Sequence, residues 1–223
     1  MSNQQDILAR PPSAGLAGGH GNVAELPLDA VGDAALVAAL LAGNSRAASV
    51  IWQRHSPAVR RALSRGLGPD QEIDDLLQDV FIRFVKSAAK LGELSHLRAY
   101  LISIAYRTAA MEIRRRKVRR WVTLTPSGDV PEALSREGMP EEVRALKALY
   151  QILDGFSARE RLIFVARHIE GMQIDETAEA LKLSKATVWR ASKATLSKVI
   201  ARAQHNPALA AYVERSLQKG NEE

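Results

Sequence analysis

The stretch QEIDDLLQDVFIRFVK, residues 71–86, leaves little choice of fold. Ile73, Leu76, Leu77, Val80 and Phe84 recur at three- and four-residue spacing, so one face of a helix is apolar. Asp74, Asp75, Gln78 and Asp79 gather on another face. The same period returns from Leu97 through Tyr100, Leu101, Ile104, Ala105 and Thr108, and no run alternates as a strand would. The chain therefore reads as all-α.

Helix start and stop signals divide it further. Residues 1–28 are rich in Gly, Pro, Ser and Asn and read as a flexible N-terminal tail. DAALVAALLAGN is a helix capped by Asp33 and ended at Gly43-Asn44, and SRAASVIWQRHS is a second. Ser56-Pro57 supplies the N-cap and first position of a third, which Gly66 and Gly68 close. SAAKLGELSH, residues 87–96, interrupts the period and reads as a loop. Residues 122–140 hold three prolines and two glycines with no sustained period, the mark of a flexible linker. Beyond it EEVRALKALYQIL is amphipathic, and SARE at 157–160 is a capping box in which Glu160 reaches back to the Ser157 N–H. Residues 174–200 divide into a short helix, a three-residue turn and a longer helix. The organisation is two small helical domains, 29–121 and 141–205, joined by the linker and followed by an extension over 206–223. That extension is either a helix packed on the second domain or a regulatory helix that masks a binding surface.

Lys and Arg number 31 against 25 Asp and Glu, and the resulting +6 favours a polyanionic partner. The absence of cysteine excludes disulfides, thiolate metal sites and Cys nucleophiles, and fits a reducing compartment. No apolar run approaches the ~20 residues a bilayer requires, and the N-terminus has neither the basic start nor the unbroken apolar core of a secretory signal. The expectation is a soluble cytoplasmic protein with no membrane partner.

Each charged motif has two readings. The pair of helices at 174–200 has helix-turn-helix proportions: Ala178 is small where helices approach, Leu181 and Leu183 fill the angle, and Ser184 caps the second helix. Its second helix offers Lys185, Arg190 and Lys193, with Trp189 on a neighbouring face, to a major groove; otherwise the unit is a packed hairpin with a solvated face. Asp74, Asp75 and Asp79 form a solvated face, a protein-docking surface or a divalent-metal site, though no further ligand is visible. His20, His55, His96, His168 and His205 are scattered without ligand spacing, and no phosphate loop, nucleophile elbow or HExxH occurs. IRRRKVRR places six basic side chains in the seven positions from Arg114 to Arg120. Seven helical positions wind through about two turns, so these charges encircle the helix. They are either a solvated end favoured by the helix dipole or a collar for phosphates.

Three stretches, in order, resemble the extracytoplasmic-function (group IV) bacterial sigma factors over residues 29–205. DDLLQDVFIRF is similar to the family's segment D-L-x-Q-[DE]-x-F. RAYLISIAYRTAAMEIRRRKVRR is similar to the W-L-x-R-I-A-x-N-x-x-x-D-x-x-R-R helix that follows it. FSARERLIFVARHIEGMQIDETAEALKLSKATVWRA resembles the promoter-reading domain.

The resemblance implies a non-enzymatic factor, without cofactor or metal, that binds core RNA polymerase and directs it to promoters. Asp74, Asp75, Gln78, Asp79 and Phe81 would dock on the clamp helices of the largest subunit, and the flap of the second-largest subunit would be a further contact. The −10 element would be read and melted by Lys86, Lys90, His96, Tyr100, Tyr106 and Arg107. Arg114, Arg115, Arg116, Lys117, Arg119 and Arg120 would grip backbone on the same element. The −35 element would meet Ser184, Lys185, Thr187, Trp189, Arg190 and Lys193. An anti-sigma factor is a further partner of the same kind. The chain departs from the pattern at Tyr100 for Trp, Arg107 for Asn and Met111 for Asp. In the second domain Gln173 stands for Ser or Thr, Thr177 for an apolar residue and Trp189 for Arg or Lys, so the family's common promoter preferences do not transfer. Two rivals remain: a helix-turn-helix regulator acting without replacing sigma, and a metal-dependent nucleic-acid enzyme using Asp74, Asp75 and Asp79.

Overall fold

A computed structural model describes residues 28–69, 71–88, 96–123 and 140–219. The tail and most of the linker lie outside these residues, as does most of the loop at 87–96. Among the described residues the regular structure is helical throughout. A short 3-10 turn (Leu28–Ala30) leads into α1 (Asp33–Leu41), α2 (Ser45–Leu67), α3 (Asp74–Ala88) and α4 (Leu97–Thr123). A second unit holds α5 (Glu141–Asp154), α6 (Ala158–Phe164) with a π-turn over Val165–Ile169, α7 (Ile174–Leu181), α8 (Lys185–Gln204) and α9 (Ala210–Lys219).

The first unit closes around Ile51, Val59 and Leu63 of α2, Val80 and Phe84 of α3, and Leu97, Leu101 and Ala105 of α4, all essentially inaccessible to water. The α3 stripe therefore buries as its spacing requires, with its acidic face outward. Leu36 and Val37 lay α1 across α2. Asp33 pins the crossing, taking bonds from Arg54 at 2.8 Å and His55 at 3.0 Å. Burial pushes the Asp33 carboxyl up, but the bonds from Arg54 and His55 outweigh it and leave it below its ordinary value. Gly32, not Asp33, occupies the N-cap position of α1.

The expected break at Ser56-Pro57 does not occur. α2 runs unbroken through Pro57. An interior proline forgoes the bond to the carbonyl four residues back and costs about 3 kcal/mol. Here Pro57 and Gln53 both face solvent, so water can reach the freed carbonyl. Ala47, Ile51, His55, Val59, Ala62 and Leu63 bury as one stripe across the proline, and that packing outweighs the lost bond.

The two units share a core. Ala158, Leu162, Ala166 and Ala180 of the second unit join the apolar cluster of the first. At the seam, α2 ends in carbonyls that its own helix cannot satisfy, and the second unit supplies donors. The Tyr150 hydroxyl donates to the Arg65 carbonyl at 2.6 Å. The Arg161 guanidinium, only 3% exposed, donates to the Gly66 carbonyl at 2.9 Å and to that of Leu67, and also pairs with Asp154. Lys117 of α4 donates to the Phe156 carbonyl at 2.6 Å, and Arg65 pairs with Glu170 at 2.9 Å. Gly68 turns the chain at φ +99°, where a Cβ would stand 2.7 Å from the Tyr150 ring, so geometry and space both demand glycine.

In the second unit, Tyr150, Leu153, Phe156, Phe164, Val165 and Val199 pack α5 and α6 on α8. Ile163, Ala178 and Val188 hold α6, α7 and α8 together, with Leu181 and Leu183 in the angle as expected. Lys182 takes a left-handed conformation (φ 53°) at the end of α7. The Ser184 hydroxyl accepts from the Thr187 N–H at 3.2 Å and caps α8. Thr177 is wholly buried and donates its hydroxyl to the Gln173 carbonyl at 2.9 Å, which is how a polar side chain fits this core. Leu209, just before α9, and Tyr212 and Val213 within it pack on Ala145, Ala148 and Ala203 of α5 and α8.

Two outcomes test this packing. Arg161→Ala strands two buried carbonyls and should lower the unfolding free energy by about 3 kcal/mol, read from the urea midpoint. Arg161→Lys should recover only part, because one ammonium cannot fork between both carbonyls and Asp154; an unmoved midpoint in both variants would show that the seam holds without this cap. The second concerns Glu160, whose carboxyl is held down to about 2 by bonds from the Ser157 hydroxyl and N–H and from Lys198. A depressed folded value gives stabilisation that is complete above the ordinary 4.5 and lost as pH falls toward 2. Glu160→Gln should accordingly flatten the pH dependence of stability in that window and leave stability near pH 7 lower than in the native chain.

Candidate nucleic-acid interface

The candidate contact residues fall into three zones, each set by the helix that carries it. On α3 the acidic face lies outward, but its members are not equivalent. Asp74 pairs with Arg60 at 2.7 Å and Asp79 with Arg83 at 2.8 Å, one helical turn on. Asp75 and Gln78 are exposed, and Phe81 is half-buried against Trp52 with ring centroids 5.0 Å apart. Ile82 and Val85 extend the open side with exposed apolar surface. The three aspartates do not converge, and among the described residues no group of three or more His, Asp or Glu is placed to hold a metal.

α4 carries the second zone. Lys86 and His96 are exposed at its approach, while Lys90 lies outside the described residues. Tyr100 is half-buried and donates its hydroxyl to Ser87 at 2.8 Å, tying α4 to the end of α3. Tyr106 is not on the surface at all: it is 1% exposed, with its hydroxyl 3.6 Å from the Met172 sulfur under the second unit. Burial raises its pKa well above the ordinary tyrosine value. The expectation that it faces DNA is therefore corrected for this arrangement, because α7 and Met172 just before it cover that side of α4.

Arg107 lies along α4, donating to the Ser103 carbonyl at 3.1 Å. It lines a groove of about 510 Å³ between the units, together with Tyr100, Arg83, Arg114 and Arg159, over a floor that includes Leu162 and Leu181. Arg83 and Arg159 were not singled out from sequence. Arg159 comes to the groove only because α6 packs on α4, and no local signal announces that.

The basic run is organised by a residue that periodicity passes over. The Glu112 carboxylate, 9% exposed, pairs with Arg115 at 3.0 Å, Arg116 at 2.7 Å and Arg119 at 3.1 Å. Arg116 also reaches the Gln71 amide oxygen, and Lys117 turns to the second unit. Arg114, Arg115 and Arg119 remain outward, and the side chain of Arg120 lies outside the described residues. The run is thus divided between an outward set and an inward set. A carboxylate three, four and seven residues before the arginines is the sequence signal that could have been read.

The third zone is α8. Ser184, Lys185, Trp189, Arg190 and Lys193 are exposed, and Thr187 is half-exposed beside the Ser184 cap. Lys185 pairs with Asp175 of α7 at 2.6 Å, and the Lys193 ammonium lies 4.4 Å from the centre of the Trp189 ring. On the opposite side of α8, Val188, Ser192, Thr195 and Val199 are buried. This short helix, turn and longer helix with a basic outer face has the geometry that presents a helix to a major groove.

Comparison with known proteins follows this division. The Sigma-70 region 2 family matches residues 51–119, on α2 to α4, and the Sigma-70 region 4 family matches 146–195, on α5 to α8. Among curated relatives, the ECF RNA polymerase sigma factor SigX of Bacillus subtilis is 29% identical over 122 residues, 52% of this chain and 63% of that protein. The ferric citrate uptake sigma factor FecI of Escherichia coli is 27% identical, covering 62% of this chain and 80% of FecI. The RNA polymerase sigma-E factor of Streptomyces avermitilis is 31% identical over 62% of this chain and 73% of its own. The solved structure of CnrH in complex with the cytosolic domain of CnrY shares the fold, with a TM-score of 0.55 at 23% identity over 78% of this chain and 98% of CnrH. With both sigma regions in order on the two helical units, and a relative of this identity matched over most of its length, the chain belongs to the extracytoplasmic-function sigma factors.

Proposed function

We propose that the chain acts as an alternative sigma factor: it binds core RNA polymerase, directs it to promoters by their −35 and −10 elements, and assists in melting the DNA. The observation that carries this reading is the order of two surfaces on one chain, an outward acidic and amide face on α3 followed by a helix-turn-helix with a basic outer face. Catalysis belongs to the polymerase, and no role for a metal or cofactor is proposed.

Within this reading Asp75 and Gln78 are the foremost contacts to the clamp helices of the largest polymerase subunit, since they are exposed and carry no ion pair among the described residues. Asp74, Asp79 and Phe81 frame that face, and the flap of the second-largest subunit is the partner of the second unit. DNA backbone near −10 meets Arg114, Arg115 and Arg119, while Tyr100, Arg107, Lys86, Lys90 and His96 form the melting side. α8 carries the −35 contacts. A protein partner of the anti-sigma kind is part of the same proposal, supported by the likeness to CnrH, whose solved structure is a complex with the cytosolic domain of CnrY.

The decisive experiment adds the purified chain to sigma-free core polymerase and measures promoter-specific run-off transcription. Initiation supports the proposal. Binding to promoter DNA without co-elution with core would instead favour the regulator that acts without replacing sigma. Replacing Asp75 and Gln78 with Ala should weaken co-elution with core at least about tenfold, with the thermal midpoint unchanged because both side chains are exposed.

A second measurement addresses the arginines. Each phosphate neutralised contributes about 0.9 to the slope of log affinity against log salt. Replacing Arg114 and Arg115 with Ala should therefore reduce that slope by about 1–2 for promoter binding by the holoenzyme. The same change at Arg116, which is held by Glu112 and Gln71, should leave the slope nearly as it was.

A further inference from the structure

The outer surface of α8 carries an unusual residue on its flank. Ala186, Trp189, Arg190, Lys193, Ala194 and Ser197 are exposed in succession along it. Trp189 is 48% exposed and is the one aromatic among the described large apolar side chains that face solvent. A tryptophan this exposed does not fill the core. The Lys193 ammonium, 4.4 Å above the ring, holds the indole across the outer surface of α8 and covers one of its faces. What remains free is the other face and the edge of the ring. Ala186, one turn before Trp189 and exposed, adds little bulk beside the ring.

The chemistry of the ring restricts what it can recognise there. Indole has one N–H donor, no acceptor and a large apolar edge. A major groove presents the N7 and O6 acceptors of guanine, N7 and the amino group of adenine, the amino group of cytosine, O4 of thymine, and a single apolar group, the C5 methyl of thymine. Set against guanine, the indole would leave O6 and N7 stripped of water with too few donors, which is unfavourable. Set against thymine, it covers the methyl, and its single N–H suffices for the one acceptor beside it, O4. Arg190 and Lys193, beside it, supply the cations that hold phosphates around such a contact.

We infer that Trp189 is a specificity-determining residue that selects thymine at one base pair of the −35 element through its C5 methyl. The inference rests on the reading that α8 enters the −35 major groove, and it adds the identity of the group that is read.

The test uses the holoenzyme and a promoter it initiates from. Each −35 thymine, on either strand, is replaced singly by deoxyuridine, which removes the methyl and keeps every hydrogen-bonding group. One position should lose about three- to fivefold in initiation with the native chain, the worth of one buried methyl. The same replacement should change nothing with Trp189→Ala. Trp189→Arg should move the preference at that pair toward G·C by about tenfold, as an arginine donates to guanine O6 and N7. The inference is overturned if no position responds to deoxyuridine, or if the response persists in Trp189→Ala. A loss in Trp189→Ala that is equal on methylated and unmethylated DNA also overturns it, and would assign the ring to a protein surface.

Lys185→Ala and Arg190→Ala separate the two levels. If they weaken −35-dependent initiation while Trp189→Ala and deoxyuridine are silent, only the thymine inference fails. If neither they nor Trp189→Ala affect −35 dependence, the placement of α8 in that groove fails with it.

Discussion

Three carbonyls at the end of α2 organise the contact between the halves of this protein. Helices leave their last carbonyls without partners, and α2 ends inside the molecule, where water cannot supply them freely. Tyr150 and Arg161 of the second unit reach across to Arg65, Gly66 and Leu67. An arginine is suited to the task because its planar fork donates in several directions from one buried group. Once it is in place, α6 lies on α4, the π-turn lies on α2, and Met172 covers Tyr106. The groove that gathers Arg83, Arg107, Arg114 and Arg159 is a consequence of the same docking.

Charge is distributed by the same logic. A run of like charges on one helix repels itself, and here Glu112 counters it from beneath by holding Arg115, Arg116 and Arg119. The encircling collar of the sequence thus becomes two sets with different duties. Arg114, Arg115 and Arg119 face solvent, whereas Arg116 and Lys117 turn inward to Gln71 and to the second unit. On α3 the aspartates divide similarly, with Asp74 and Asp79 paired to arginines and Asp75 left open.

Features with a local period were legible in the sequence. The apolar stripe of α3, the Ser157–Glu160 capping box, the Ser184 cap and the angle filled by Leu181 and Leu183 all stand where spacing placed them. The same local reasoning failed at Pro57, where a strong helix-start signal was overruled by burial on both sides of it. It also fails at Tyr106, which lies opposite the apolar stripe of Leu97, Leu101, Ile104 and Thr108, on a side of α4 that the second unit covers. Thr177, polar where the family pattern is apolar, is accommodated by a single hydrogen bond to Gln173.

The sequence by itself determined the helices, their order, the family and the kinds of side chain each outer face carries, because helical period, caps and turns act over a few residues. Only the tertiary structure decided which of those side chains remain available. Arg161 meets Gly66 across 95 residues of sequence, and Tyr106 meets Met172 across 66. Contacts at such separations leave no period to read. They depend on how two units bury one another's unpaired polar groups, and that is settled by packing.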